Sequence, residues 1–318
     1  KSMVELATAR GPADGPLGAF RLGCQARAQG KHDAAAAAYG RAFAQGGSGF
    51  ALRHEALLGW LDELEQSGDH AGCAREAVAH EADLRGSSVP SDAAITALQA
   101  AEHLDGDAKT AARTFAVRVL RGFVDQPPEG ATVDDRGDAS ASLAEALEQG
   151  GDAPGARAVR ERWLAMLEKA AREAPSLEAA HTFDYQRANA LVALGRADDA
   201  VRMLEERVKE LPTDYEPVAR LASACIKAGR YGDALPAIRK AIELSYGPRR
   251  LRYLAVEAKI HGAIGDHTAE IGVLEREVTG WSALPPGQAS SASLADAQKR
   301  LEAAKQAASA KPAAHKKP

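Results

Sequence analysis

Nine histidines and three cysteines are the residues of this 318-residue chain best suited to hold a metal or attack a substrate. A transition-metal site needs imidazole nitrogens, thiolates or carboxylates converging about 2 Å from one point. His32, His70 and His267 follow a common glycine-led phrase at three places in the chain. Equivalent positions on separate helix pairs lie about 10 Å apart at usual helix spacing, so these rings read as packing groups and no metal or other cofactor is expected. Cys24, Cys73 and Cys225 include no C-x-x-C pair and fall in small-residue slots. They read as buried hydrophobes, not as disulfide partners or reactive thiols. Gly106-Asp107-Ala108-Lys109-Thr110 ends like a phosphate-binding loop but lacks the glycine before its lysine and follows no strand. Ser48 in Gly46-Gly47-Ser48-Gly49 would need a strand-turn-helix elbow to act as a nucleophile, and the sequence offers only an inter-helix loop there. No catalytic residue is expected, and the chain reads as non-enzymatic.

Charge narrows the partners. With 40 Lys+Arg against 44 Asp+Glu and a net charge of −4, the chain lacks the basic surface that nucleic acid requires. No run of about 18 apolar residues is present, which excludes a membrane-spanning helix. The charge is unevenly spread: residues 1–150 hold 14 Lys+Arg and 22 Asp+Glu, leaving 26 and 22 for the remainder. An acidic half followed by a basic half suits an elongated molecule that presents two distinct surfaces. The opening Lys1-Ser2-Met3 fits either a removed leader or a segment cut from a longer protein. A soluble protein is expected, cytoplasmic or exported to a periplasm, and the Ala-, Gly- and Arg-rich usage suggests a bacterial source.

The elements that must position any site are given by an internal repeat. A phrase of glycine, a charged residue, a small or ring-bearing residue, two variable residues and then usually alanine recurs at Gly30, Gly68, Gly106, Gly151, Gly195, Gly229 and Gly265. The spacings are 38, 38, 45, 44, 34 and 36. Eight residues before each glycine stand Leu22, Trp60, Leu98, Leu143, Arg187, Leu221 and Glu257, and the next position is small in five copies. Nine residues after it come Tyr39, Ala77, Phe115, Arg160, Leu204, Ile238 and Leu274. Apolar residues also recur four positions later, on the same helical face. Each copy is therefore an antiparallel helix pair, with glycine ending the first helix in a left-handed turn. His80, Glu81 and Glu270 depart from the apolar or small residues expected at their positions.

The copies Leu221-Ala222…Gly229-Arg230-Tyr231…Ala234…Ile238…Ala241 and Leu22-Gly23…Gly30…Ala35…Tyr39…Ala42 resemble the tetratricopeptide repeat family, and Pro212 falls where that family often places a proline between repeats. The resemblance implies an all-α, right-handed α-solenoid of about seven such hairpins with a C-terminal capping helix. Residues 1–14 are expected to be a flexible start, 15–124 repeats one to three, 125–138 a linker around Pro127-Pro128, and 139–280 repeats four to seven. A loop at 281–293, a capping helix at 294–310 and a disordered basic tail at 311–318 complete the expected layout. The family's first helices line a concave groove that binds peptides or partner domains. Carried over residue by residue, that groove implicates Tyr185, Asn189, Arg220, Lys227, Arg252 and Lys259. These are similar to part of a carboxylate clamp, so the implied partner is a protein or peptide with an acidic segment or a C-terminal carboxylate. The corresponding positions nearer the start are acidic: Glu55, Asp62, Glu65, Asp138, Glu145 and Glu148. An interaction scaffold is the leading expectation. The rivals are the recruiting portion of a larger enzyme whose catalytic domain lies outside this chain, and an assembly or secretion chaperone of the bacterial envelope.

Overall fold

The computed structural model of the chain describes residues 14–85, 88–285, 287–288 and 290–310. The expected flexible start, apart from Asp14, and the expected basic tail lie outside the described residues. Among the described residues the protein is entirely helical, and no helix is long and apolar enough to cross a membrane. It divides into two compact units, Lys1–Met166 and Leu167–Pro318.

In the first unit α1 (Gly15–Ala28) turns into α2 (His32–Gly46), and α3 (Arg53–Ser67) turns into α4 (His70–Ala79). Then α5 (Val89–Glu102) pairs with α6 (Gly106–Asp125), and α7 (Val133–Gln149) is followed by α8 (Ala153–Glu173). The second unit begins at Leu167, within α8, and its next helix is the short α9 (Leu177–His181). Its three hairpins are α10 (Asp184–Ala193) with α11 (Ala197–Glu210), α12 (Tyr215–Lys227) with α13 (Tyr231–Leu244), and α14 (Gly247–Ile264) with α15 (His267–Ala283). A last helix, α16 (Ser291–Ala310), packs on α15.

All seven turn glycines take positive φ, from 60° at Gly106 to 85° at Gly68 and Gly151. A side chain there would cost about 1–2 kcal/mol, which is why glycine marks each turn. The charged residue that follows has its own task. Asp69, Asp152 and Asp266 accept hydrogen bonds from the backbone N–H of Gly72, Gly155 and Ala269 at 2.9, 2.9 and 3.1 Å, capping the second helix of each pair. Where arginine replaces aspartate, Arg196 and Arg230 pair instead with Asp199 and Asp233 in that helix's first turn. The break after α6 is resolved by Gly130, at φ 84°, and by a capping box in which Thr132 and Asp135 exchange backbone-to-side-chain bonds.

Hydrophobic seams shared by successive helices hold each unit. In the first, Phe20 meets the edge of Tyr39 at 5.3 Å, and Leu57, Leu61, Phe115, Leu120 and Leu143 are fully buried. At the position that is small in five copies, packing sets the size at Gly23: a Cβ there would lie 2.7 Å from the Tyr39 ring. All three cysteines are buried, and burial together with the nearby Glu65, Asp62 and Asp69 carboxylates pushes the Cys73 thiol up to about 12.

In the second unit the seams include ions. Arg187 and Glu257, which occupy the otherwise apolar position eight before the glycine, are both ion-paired, although Arg187 Nε is buried without a partner. Arg187 donates to the fully buried Asp184 at 2.9 Å, and Glu257 accepts from Arg239 at 2.7 Å and Arg276 at 2.9 Å. The buried Glu277 accepts two bonds from Arg300, which pins α16 while Ala297, Leu301 and Ala304 bury its apolar stripe. The departures at His80 and Glu270 also have partners. His80 lies edge-on to Phe43 at 4.7 Å, and Glu270 accepts from His267 at 2.9 Å beside Gly262, where a Cβ would crowd its carboxylate at 2.8 Å.

Candidate functional site

The first helices of the last three hairpins, α10, α12 and α14, form one cleft of about 250 Å³ within the second unit. Helical spacing explains who faces it. Tyr185 and Asn189 lie four apart on α10, and Arg220, Ser223 and Lys227 follow one another at three and four on α12. The floor is apolar, from Ala188, Val192, Ala219 and Ala224.

Polar groups ring this floor. Lys227 Nζ donates to Asn189 Oδ1 at 2.7 Å across two helices. Arg220 is fixed from two sides, donating to the His181 carbonyl at 2.8 Å and to Glu216 at 2.8 Å. Glu216 in turn receives Tyr215 at 3.3 Å and Arg249 at 3.5 Å, so its negative charge is divided among cationic and hydroxyl partners. Tyr185 stands at the mouth with 57% of its surface exposed, a large ring with no core to fill. Tyr253 lines the opposite wall, where burial raises its phenol above the ordinary range.

Four of the six residues singled out from the sequence, Tyr185, Asn189, Arg220 and Lys227, therefore share a cleft. Arg252 lies outside it, in a separate hollow beside Tyr215, Tyr246 and Arg249. Lys259 lines a third, alanine-walled hollow bounded by α14, α15 and α16. Tyr253 and Ser223 line the cleft without having been expected to. Tyr253 is one residue from Arg252, so a rotation of about 100° along α14 separates the residue expected from the residue found.

The acidic candidates of the first unit separate in the same way. Glu148 pairs with Arg160, and Glu145 accepts from Gln149 at 3.4 Å. Asp62 receives Arg27 at 3.2 Å and Thr96 at 3.4 Å. The Asp62, Asp92 and Asp138 carboxyls are all held above the usual carboxylate range, first by desolvation and then by neighbouring acids, Asp135 and Asp62 acting on Asp92 and Asp134 on Asp138. The sign follows from proton counting. A folded pKa above the unfolded one means that the native state binds more protons in that window, so stability falls as pH rises through it. Asp138→Asn should therefore stabilise the first unit at pH 7 by about 0.5 kcal/mol, a modest figure because these side chains still meet solvent. The gain should vanish below about pH 3.5, where the unfolded aspartate is also protonated. Urea denaturation at the two pH values checks this.

No family model matches the chain, and no curated protein matches it. Solved structures do. A tetratricopeptide repeat protein from Parabacteroides merdae superposes with a TM-score of 0.53 at 12% identity, over 90% of this chain and 97% of that one. A thermophilic tetratricopeptide repeat protein from Thermus thermophilus is 21% identical over 76% of this chain and 97% of its own, with a TM-score of 0.35. The first superposition carries the fold, and seven hairpins turned on left-handed glycines agree with it. In fold, this chain is a tetratricopeptide-like helical repeat protein.

Proposed function

We propose that this chain is a non-enzymatic interaction scaffold whose second unit takes up a peptide with an acidic segment or a free C-terminal carboxylate. The observation that carries the reading is the cleft of α10, α12 and α14, where an apolar floor lies between an exposed aromatic ring and two fixed cations. Lys227 uses one of its three N–H donors on Asn189, and the ammonium charge remains available to an incoming carboxylate. Asn189 contributes amide donors at the same point, and Arg220 supplies a cation already oriented by its carbonyl partner, which lowers the ordering cost of binding. Tyr185 offers the large amphipathic surface typical of binding hot spots. The hollow around Arg252 lies within the same unit and adds positive charge that steers an acidic partner toward it.

An array of peptides ending in acidic residues, read by fluorescence anisotropy, tests the reading. Lys227→Glu should weaken the best binders by more than about tenfold, since it removes one charge pair and adds a repulsion. Amidating the peptide C-terminus then separates recognition of a terminal carboxylate from recognition of acidic side chains. Raising salt to 1 M should weaken either mode, because screening shortens to about 3 Å. Unchanged binding by both Lys227→Glu and Asn189→Ala would remove the cleft from consideration.

A further inference from the structure

We infer that the first unit carries a divalent transition-metal site, of the zinc class, formed by Glu65, His70 and His103. The three side chains come from three different helix ends: the last turn of α3, the first residue of α4 and the residue capping α5. Each brings one ligand atom into a group whose members all lie within 4.8 Å of one another. Zinc holds nitrogen and oxygen donors at about 2.0–2.2 Å, so tetrahedral donors stand about 3.3 Å apart. The group is wider than this by at most about 1.5 Å, within the reach of side-chain rotation by Glu65 and the exposed His103.

Three further observations point to an ion rather than to chance proximity. The His70 and His103 rings lie together, stacked at 4.0 Å with 14° between their planes, and rotation of the exposed His103 ring out of the stack turns its lone pair toward a point shared with His70. His70 Nδ1 is buried with no hydrogen-bond partner, an orphaned polar atom of the kind that normally signals a missing partner. Glu65 has no arginine or lysine bonded to it among the described residues, and its hydrogen-bond donor is the neighbouring Gln66. Its carboxylate also sits in the last turn of α3, and His103 sits at the end of α5, both negative ends of helix dipoles where a cation is favoured.

Two imidazoles and one carboxylate suit zinc and its neighbours and not calcium or magnesium, which take all-oxygen shells. Three protein ligands leave a fourth position for water. The ion would join α3 and α4 of one hairpin to α5 of the next, so its effect on the protein is to staple two repeats.

Isothermal titration of the full chain, stripped with EDTA, with zinc chloride at pH 7.5 is the test. The expected result is one tight equivalent per chain and a raised thermal midpoint, with no response to magnesium. His103→Ala, at an exposed turn, should lower zinc affinity by at least about a hundredfold, since loss of even outer-shell partners costs 10–100-fold. Glu65→Gln should lower it as well and serves as the second variant, while His267→Ala in the other unit should leave it unchanged. Cobalt substituted for zinc should give the intense visible absorption of a tetrahedral site, lost in His103→Ala. A wild-type chain that takes up no zinc, or a His103→Ala chain that binds it as tightly as wild type, overturns the inference.

Discussion

Replacing Asp184 with alanine should lower the stability of the second unit by about 3–5 kcal/mol, the range seen when one member of a buried ion pair is removed. Asp184 is fully buried at the start of α10 and is the shared acceptor of three neighbours. Arg207 of α11 donates to it at 2.6 and 3.4 Å, Arg187 at 2.9 Å, and His181 of α9 lies 3.3 Å away. Desolvation makes such a cluster a poor source of stability when intact, yet a costly one to break. Arg207 keeps a second partner in Glu210, at 2.7 Å, whereas Arg187 Nε is already buried without one. The substituted unit would therefore hold two guanidinium groups with one surface carboxylate between them. Asp184→Asn keeps the shape and still removes the countercharge, so it should lose most of the same stability. A loss carried by both variants identifies charge rather than volume as the cause. Because His181 also supplies the carbonyl that fixes Arg220, loosening α9 should weaken peptide capture in the cleft as well. Hydrogen exchange of α10 and α11 measures the first effect, and a unit-by-unit readout is needed because repeat arrays need not unfold in one step.

This cluster also shows where sequence reading ends. The turns were legible because the requirement is local: a left-handed residue needs glycine whatever packs around it, and all seven repeat glycines have positive φ. The small residues Gly23, Ala144, Ala188, Ala222 and Ala258 were legible for a related reason, since close helix approach constrains one position at a time, and all five are buried. The slot filled by Arg187 and Glu257 was legible only as an exception. Their partners Asp184, Arg239 and Arg276 lie 3–19 residues away on other turns or helices, and no periodicity announces such a pairing. In the cleft, α10 and α12 contributed the expected residues because 3.6-residue spacing fixes which side chains share a face. On α14 the same reasoning missed Tyr253, since facing the cleft there depends on the angle at which that helix packs, a property of neighbouring side chains. His70 and His103 were hidden for a further reason. One occupies the repeat phrase and the other does not, so comparing equivalent positions sets them in separate categories although their rings touch.

Tyr39→Ala in the first unit should cost about 3–5 kcal/mol, the range for truncating a large buried aromatic. Its ring is fully buried between α1 and α3, with Phe20 edge-on at 5.3 Å and the Cα atoms of Gly23 and Gly59 facing it. Those two glycines decide the size of the effect. A cavity is cheapest where surrounding side chains can collapse into it, and glycines have none to move. Helix backbones would have to close the gap, against the rigidity of two stacked hairpins. Arg27 adds a second cost, because its guanidinium lies 5.3 Å from the ring centre while it bonds the buried Glu63. Without the ring this ion pair loses part of its cover and admits water toward Glu63. Tyr39→Phe separates volume from the hydroxyl. The phenol's partner is Cys24 Sγ at 3.5 Å, a weak acceptor, so Phe should cost less than about 1 kcal/mol. A stability series in urea that ranks Ala far below Phe and wild type would assign the loss to the ring. Near-equal losses for Ala and Phe would move the weight to the hydroxyl and contradict the packing account.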